Sequence, residues 1–227
     1  MNAISVPSRR TRLKICCIQS AEEARLAIAY GADAIGLVGA MPSGPGPIPD
    51  ELIAEIAPTV PPPVATFLLT QETRADAIIQ HVRRTGVNTV QLVDDDIHPE
   101  VYPLIRAELP AVKIVQVIHV RDGQSIEKAV RVSDSVDAIL LDSGNPRAAI
   151  RELGGTGRIH DWNLSRQIVE QSRKPVFLAG GLNVENIATA VSAVKPYGID
   201  VCSGVRQDGK LDEEKLAQFV SAINSAS

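Results

Sequence analysis

The chain is poor in aromatic side chains: three Phe, three Tyr and one Trp make up 3% of its 227 residues. That excludes an aromatic-rich sandwich core and leaves Ala, Val, Ile and Leu to fill the interior, as in a parallel sheet covered by helices. Cysteine is scarce too, with only Cys16, Cys17 and Cys202. An odd count with an adjacent pair makes no disulfide framework, and no Cys-x-x-Cys pair with a nearby His offers a zinc site. There is no basic excess: 23 Lys and Arg face 27 Asp and Glu, which argues against nucleic acid or an anionic membrane as a partner. No apolar run reaches the ~18 residues of a membrane helix. Residues 1–12 lack the apolar stretch of a secretory signal, so they read as a flexible extension. The absence of acidic residues before Glu22 keeps a transit peptide as the alternative. A mildly acidic globular protein of the reducing cytoplasm, with one domain over 13–227, is the expectation.

What is present is an alternation. Strand-like apolar runs begin near 13, 33, 64, 87, 112, 137, 175 and 199, with helix-like segments at 21–30, 50–57, 71–84, 99–108, 124–132, 163–171, 184–194 and 212–223. Each crossover is long enough to bring the next strand back in parallel. The entry to every second strand repeats a pattern: Gly31-Ala32-Asp33, Gly86-Val87-Asn88, Ser135-Val136-Asp137 and Gly198-Ile199-Asp200. Three of these carry a Gly after a helix, where a left-handed cap is expected. An eightfold closed (β/α)8 TIM barrel accommodates such an echo more readily than an open α/β sheet, the second choice.

In a barrel the chemistry belongs to the C-terminal strand ends and the loops behind them. Gly180-Gly181 and Ser203-Gly204 end strands 7 and 8, where bare backbone amides suit a phosphate; Gly155 and Thr156 in Gly154-Gly155-Thr156-Gly157 would add more donors. Plain tight turns or a lid loop explain the same glycines. Asp142 ends an apolar strand and serves either as a partly buried proton donor or as a local loop cap. Alternation along strand 1 points Lys14 and Cys16 inward and Cys17 toward the helices, which makes Cys17 a packed hydrophobe. Cys16 then suits a base or nucleophile. Lys14 suits an ion pair inside the barrel better than a Schiff base. His160 reads as a substrate contact, and His119 has no assignment.

Taken in order, Lys14-Ile15-Cys16, Gly31-Ala32-Asp33-Ala34-Ile35-Gly36, Val90-Gln91-Leu92, Leu140-Leu141-Asp142, Gly154-Gly155-Thr156-Gly157, Asp161-Trp162, Leu178-Ala179-Gly180-Gly181-Leu182-Asn183 and Pro196-Tyr197-Gly198-Ile199-Asp200-Val201 resemble the phosphoribosylanthranilate isomerase family over residues 13 to 224. The resemblance implies a cofactor-free Amadori rearrangement of a phosphorylated N-ribosyl amine in tryptophan synthesis. Cys16 would be its general base and Asp142 its general acid, with Gln91 and Asn183 among the substrate contacts. A small phosphorylated sugar is the implied partner. The departures fall at the aglycone end. The family's Lys-Ser-Pro-Arg-Tyr loop becomes Ser43-Gly44-Pro45-Gly46-Pro47, with Gly46 in the arginine's place, and Gln-Leu-His-Gly becomes Gln91-Leu92-Val93-Asp94. Ser-Ser-Gly-Val-Glu becomes Cys202-Ser203-Gly204-Val205-Arg206, and Phe-Asp-Trp becomes His160-Asp161-Trp162. Arg147, Arg158 and Arg206 are the candidates to replace the missing cation. A related isomerase with another phosphorylated substrate, or a barrel that only binds sugar phosphate, are the alternatives.

Overall fold

The computed structural model describes residues 10–144 and 160–226. Eight parallel strands close into one barrel in sequential order: β1 (Arg12–Ile15), β2 (Ala34–Val38), β3 (Ala65–Thr70), β4 (Thr89–Leu92), β5 (Lys113–His119), β6 (Ala138–Asp142), β7 (Val176–Leu178) and β8 (Gly198–Val201). The helices that return the chain are α1 (Ala21–Ala29), α2 (Asp50–Ile56), α3 (Ala75–Thr85), α4 (Val101–Glu108), α5 (Gln124–Ser133), α6 (Trp162–Gln171), α7 (Ile187–Val194) and α8 (Glu213–Ala226). Closure is direct, since Lys14 of β1 pairs with Ala34 of β2 on one side and Asp200 of β8 on the other. The expected (β/α)8 barrel is the fold.

Two layers of apolar packing follow from strand alternation. Outward residues such as Leu13, Ile15, Ile35, Leu68, Val90 and Ile139 join the helices in one large core. Inward residues, among them Phe67, Val115, Val117, Leu140 and Phe177, fill the barrel itself. Phe177 lies edge-on to both Phe67 and Tyr197, so three of the seven aromatics plug one end of the barrel.

The echo before alternate strands proves to be a clasp at that same end. Asp33 donates its N–H to Leu13 O at 2.8 Å and accepts Leu13 N–H on Oδ2 at 2.9 Å. Asp137 does the same with Ile114, at 2.8 and 2.9 Å. Asn88 exchanges bonds with Thr66 N and Oγ1 at 3.0 and 3.1 Å. The fourth copy differs. Asp200 lies within β8 and turns inward, and the left-handed cap before it is Lys195 (φ 53°) rather than Gly198. Gly198 is there because a Cβ would stand 2.6 Å from the Phe177 ring.

Other boundaries shift. The third helix begins at Ala75, four residues later than its periodicity suggests, and β1 begins at Arg12, inside the stretch read as an extension. Residues 1–9 of that stretch lie outside the described residues. A two-residue hairpin, β9 (Arg206–Gln207) with β10 (Lys210–Leu211), follows β8 through Asp208 and Gly209, both at positive φ. Among the described residues no helix is long and apolar enough to cross a membrane.

Candidate active site

At the C-terminal mouth of the barrel a cleft is walled by Cys16, Cys17, Gln91, Asp142, Asp200 and Cys202, together with Gly180, Gly181 and Ser203 and with Met41, Ser43, Gly44 and Pro45. Six of the sequence-expected site residues therefore share one cavity: Cys16, Gln91, Asp142, Gly180, Gly181 and Ser203. Gly204 is not in the wall, but it holds the loop there. A Cβ at Gly204 would stand 2.0 Å from Leu182 O, so the loops after β7 and β8 touch backbone to backbone only because no side chain intervenes.

Asp142 is 8% exposed. Burial is the main influence that raises its pKa, with the nearby Asp200 charge adding to it; His119 and the Ser143 N–H, which donates to Oδ1 at 2.7 Å, oppose the rise. Local capping and a cleft position thus coexist in one carboxyl. Cys16 moves the other way. A hydrogen bond from the Cys17 thiol is the largest influence holding its pKa below the ordinary thiol value, against the opposing effect of burial. Cys17 in turn has a pKa well above normal, because its bonds to Cys16 and Cys202 keep its proton in place.

Cys17 is where strand phase fails. β1 ends at Ile15, and Cys17 takes φ 62°, a left-handed backbone that swings its side chain back to the cleft instead of out to the helices. Its Sγ reaches Pro45 O at 3.5 Å. A Cβ on Gly46, itself at φ 86°, would meet Cys17 Cβ at 2.5 Å. Cys17 and Gly46 therefore occupy one space, and no side chain fits at 46 while Cys17 stands.

Arg206 is not a free cation for the cleft. It is 8% exposed, and its guanidinium is committed to Glu23 Oε1 and Oε2 at 3.1 and 3.0 Å, Gly209 O at 2.9 Å and the carbonyls of Cys16 and Cys17. The Asp208-Gly209 pair is a two-residue hairpin signal in the sequence, and it brings Gly209 O to this arginine. Asn183 lies outside the wall as well: its Oδ1 accepts from Glu185 N and Asn186 N, turning the chain into α7. His160 is not in the wall either; it is bonded through Nε2 to Ser165 Oγ at 2.7 Å, and burial pulls its pKa down to about 4. Gly155, Thr156, Arg147 and Arg158 fall outside the described residues. Lys14 forms the expected internal pair with Asp200, at 2.9 Å.

The profile described as N-(5'phosphoribosyl)anthranilate (PRA) isomerase matches residues 13–222. The chain belongs to this family. It is 36% identical to the N-(5'-phosphoribosyl)anthranilate isomerase of Methanocella arvoryzae, over 94% of this chain and 98% of that one. It is 39% identical to isomerase 2 of Methanosarcina mazei, over 92% of each. The crystal structure of the Thermotoga maritima enzyme superposes with a TM-score of 0.80 at 29% identity, covering 95% of this chain and 99% of that one. A phosphoribosyl anthranilate isomerase in complex with reduced 1-(o-carboxyphenylamino)-1-deoxyribulose 5-phosphate matches with a TM-score of 0.78 at 27% identity, over 95% and 99% of the two chains. This chain is accordingly an intramolecular isomerase of the family's kind.

Proposed function

We propose that the protein isomerises N-(5'-phosphoribosyl)anthranilate to the 1-deoxyribulose phosphate by general acid and base catalysis, with Asp142 as the acid and Cys16 as the base. The observation that carries this reading is the pair itself: two buried acids in one cleft, one pKa raised and the other lowered. Asp142 gives its proton to the furanose ring oxygen as the C1–O bond breaks and the amine nitrogen forms a C=N bond to C1. The Cys16 thiolate then removes the C2 proton, and the electrons of that C–H bond form C1=C2 while the C=N electrons return to nitrogen. The enolamine passes to the C2 ketone as its enol O–H gives up a proton and C1 gains one, and the proton that Cys16 took is returned to Asp142 through solvent before the next turnover. Gly180, Gly181 and Ser203 are the proposed phosphate contacts, since they offer amides and a hydroxyl at the ends of β7 and β8. Gln91 is the proposed sugar contact. The reaction as written uses no cofactor.

The experiment follows anthranilate fluorescence as phosphoribosylanthranilate is consumed. Turnover supports the reading, and no turnover with an intact phosphate site overturns it. The charged side chains in the described cleft wall are Asp142 and Asp200, both acidic, so the aglycone carboxylate needs a cation from elsewhere. With Arg206 committed, Arg147 and Arg158 are the remaining candidates of the three. Losing such a charge-assisted bond costs about 1.5–3 kcal/mol, so Arg158→Ala or Arg147→Ala should raise KM roughly 10- to 150-fold. If neither does, and an aglycone without the carboxylate is handled equally well, the protein serves a related isomerisation on a different amine.

A further inference from the structure

Lys14 has no part in the reaction as written, yet it lies directly beneath the base. It is fully buried, its Nζ is 2.9 Å from Asp200 Oδ1 and 5.3 Å from the centre of the Phe67 ring. A Cβ on Gly36 would stand 3.0 Å from Lys14 Nζ and 2.8 Å from Cys16 Sγ. Ammonium and thiol thus both border the space that a side chain at Gly36 would fill. On its other side the same ammonium meets Asp200, whose carboxyl shares the cleft wall with Cys16 and Asp142.

One buried cation therefore has two acids within reach, and it can balance only one negative charge. Moving a proton from Cys16 to Asp200 turns thiol and carboxylate into thiolate and carboxylic acid. The cluster keeps its net charge, and Lys14 merely exchanges partners. We propose that Lys14 is a positioning residue shared by these two acids, and that Asp200 holds the proton when Cys16 is the thiolate. The active base is then a Cys16 thiolate paired with the Lys14 ammonium above a neutral Asp200. The directions of titration agree: burial is the main influence raising Asp200, while Cys16 is lowered. The other groups facing Cys16 are Cys17 beside it, Cys202 beyond β8, Asp142 of β6 across the cleft, and Arg206, whose Nη2 donates to the Cys16 carbonyl at 3.3 Å.

The inference takes its importance from the reading of Cys16 as the base, but its test does not use the isomerase substrate. The rate of iodoacetamide alkylation at Cys16 is followed against pH in the unsubstituted parent protein, where the Cys17 hydrogen bond to Cys16 stays in place, and tandem mass spectrometry separates Cys16 from Cys17 and Cys202. A proton shared between two acids gives a two-step profile, with a pH-independent plateau below the upper step. Asp200→Asn should abolish the plateau, leaving one step at a lower apparent pKa. Lys14→Met should cut alkylation at neutral pH by about 10-fold or more, because a thiolate without its neighbouring cation binds its proton that much more tightly. A single-step profile in the parent, or a plateau that survives Asp200→Asn, overturns the proposal. If Lys14→Met does not fold, the parent and Asp200→Asn profiles decide it alone. Loss of isomerase activity with the plateau intact would count against the isomerase reading instead.

Discussion

At the scale of single residues, the proposed mechanism requires two acids in opposite charge states. Asp142 must carry its proton, so turnover falls as pH rises through its raised pKa. Cys16 must be ionised, so turnover falls as pH drops through its lowered one. The kcat/KM profile should be bell-shaped, and a profile without an alkaline limb would remove Asp142 as the acid. Cys16→Ala and Asp142→Asn should each lower kcat by roughly 10²-fold or more with KM changed far less. Asp142→Asn carries a second signature. A carboxyl whose folded pKa is raised adds stability only at low pH and loses it as pH climbs, so removing it should stabilise the protein at neutral pH. Every tenfold difference in proton affinity between the folded and unfolded chain corresponds to about 1.4 kcal/mol, and each kcal/mol moves Tm by about 2–4 °C for a chain of this size. Thermal scans at pH 5 and pH 8 would read the difference. Inward placement of Cys16 and Asp142 was legible in the alternation of their strands. Cys17 was not, because a single left-handed residue after β1 breaks the alternation, and nothing in Cys16-Cys17 announces it. Its contact with Gly46 makes the two positions interdependent: Gly46→Arg should destabilise the protein by itself and less so with Cys17→Gly.

At the scale of elements, the proposed phosphate end rests on two loops that touch through backbone. Gly204→Ala should push them apart by driving a methyl against Leu182 O. The expected result is a KM about 10-fold or more higher, as for a lost charge-assisted contact, with a smaller change in kcat; unchanged KM would dissociate this loop pair from substrate. The alternating runs were legible as strands and helices because burial on both faces makes a strand a short continuous apolar run. Helix starts were less so. Residues 71–74 continue the polarity of α3 but lie outside it, and Arg74, the residue that precedes the helix, has φ and ψ of −95° and 139°. The hairpin after β8 went unread although Asp208-Gly209 is a turn signal, and it explains why a charge that looks available in the sequence is buried against Glu23. Charge reversal at Arg206 is thus an internal strut, not a substrate contact.

Across the whole molecule, the two ends of the barrel have separate duties. Asp33, Asn88 and Asp137 clasp neighbouring strands at the end plugged by aromatics, while the cleft opens at the other. Removing a clasp leaves a strand N–H without its partner, so Asp33→Ala and Asp137→Ala should each cost about 1–3 kcal/mol of stability and leave kcat and KM as they are; denaturant unfolding beside steady-state kinetics would show it. The fold itself was the most legible feature, since a fourfold echo over eight strands sits more readily in a closed barrel than in an open sheet. What the echo concealed was that its last copy, Asp200, had been turned from clasp to cleft. That division has an evolutionary consequence. Loops at the open end can be exchanged without touching the clasps that keep the barrel shut, so new substrate preferences can be sampled at little risk to folding. A scaffold of this kind can lose an arginine at its rim and remain a sound barrel on which another recognition solution is built.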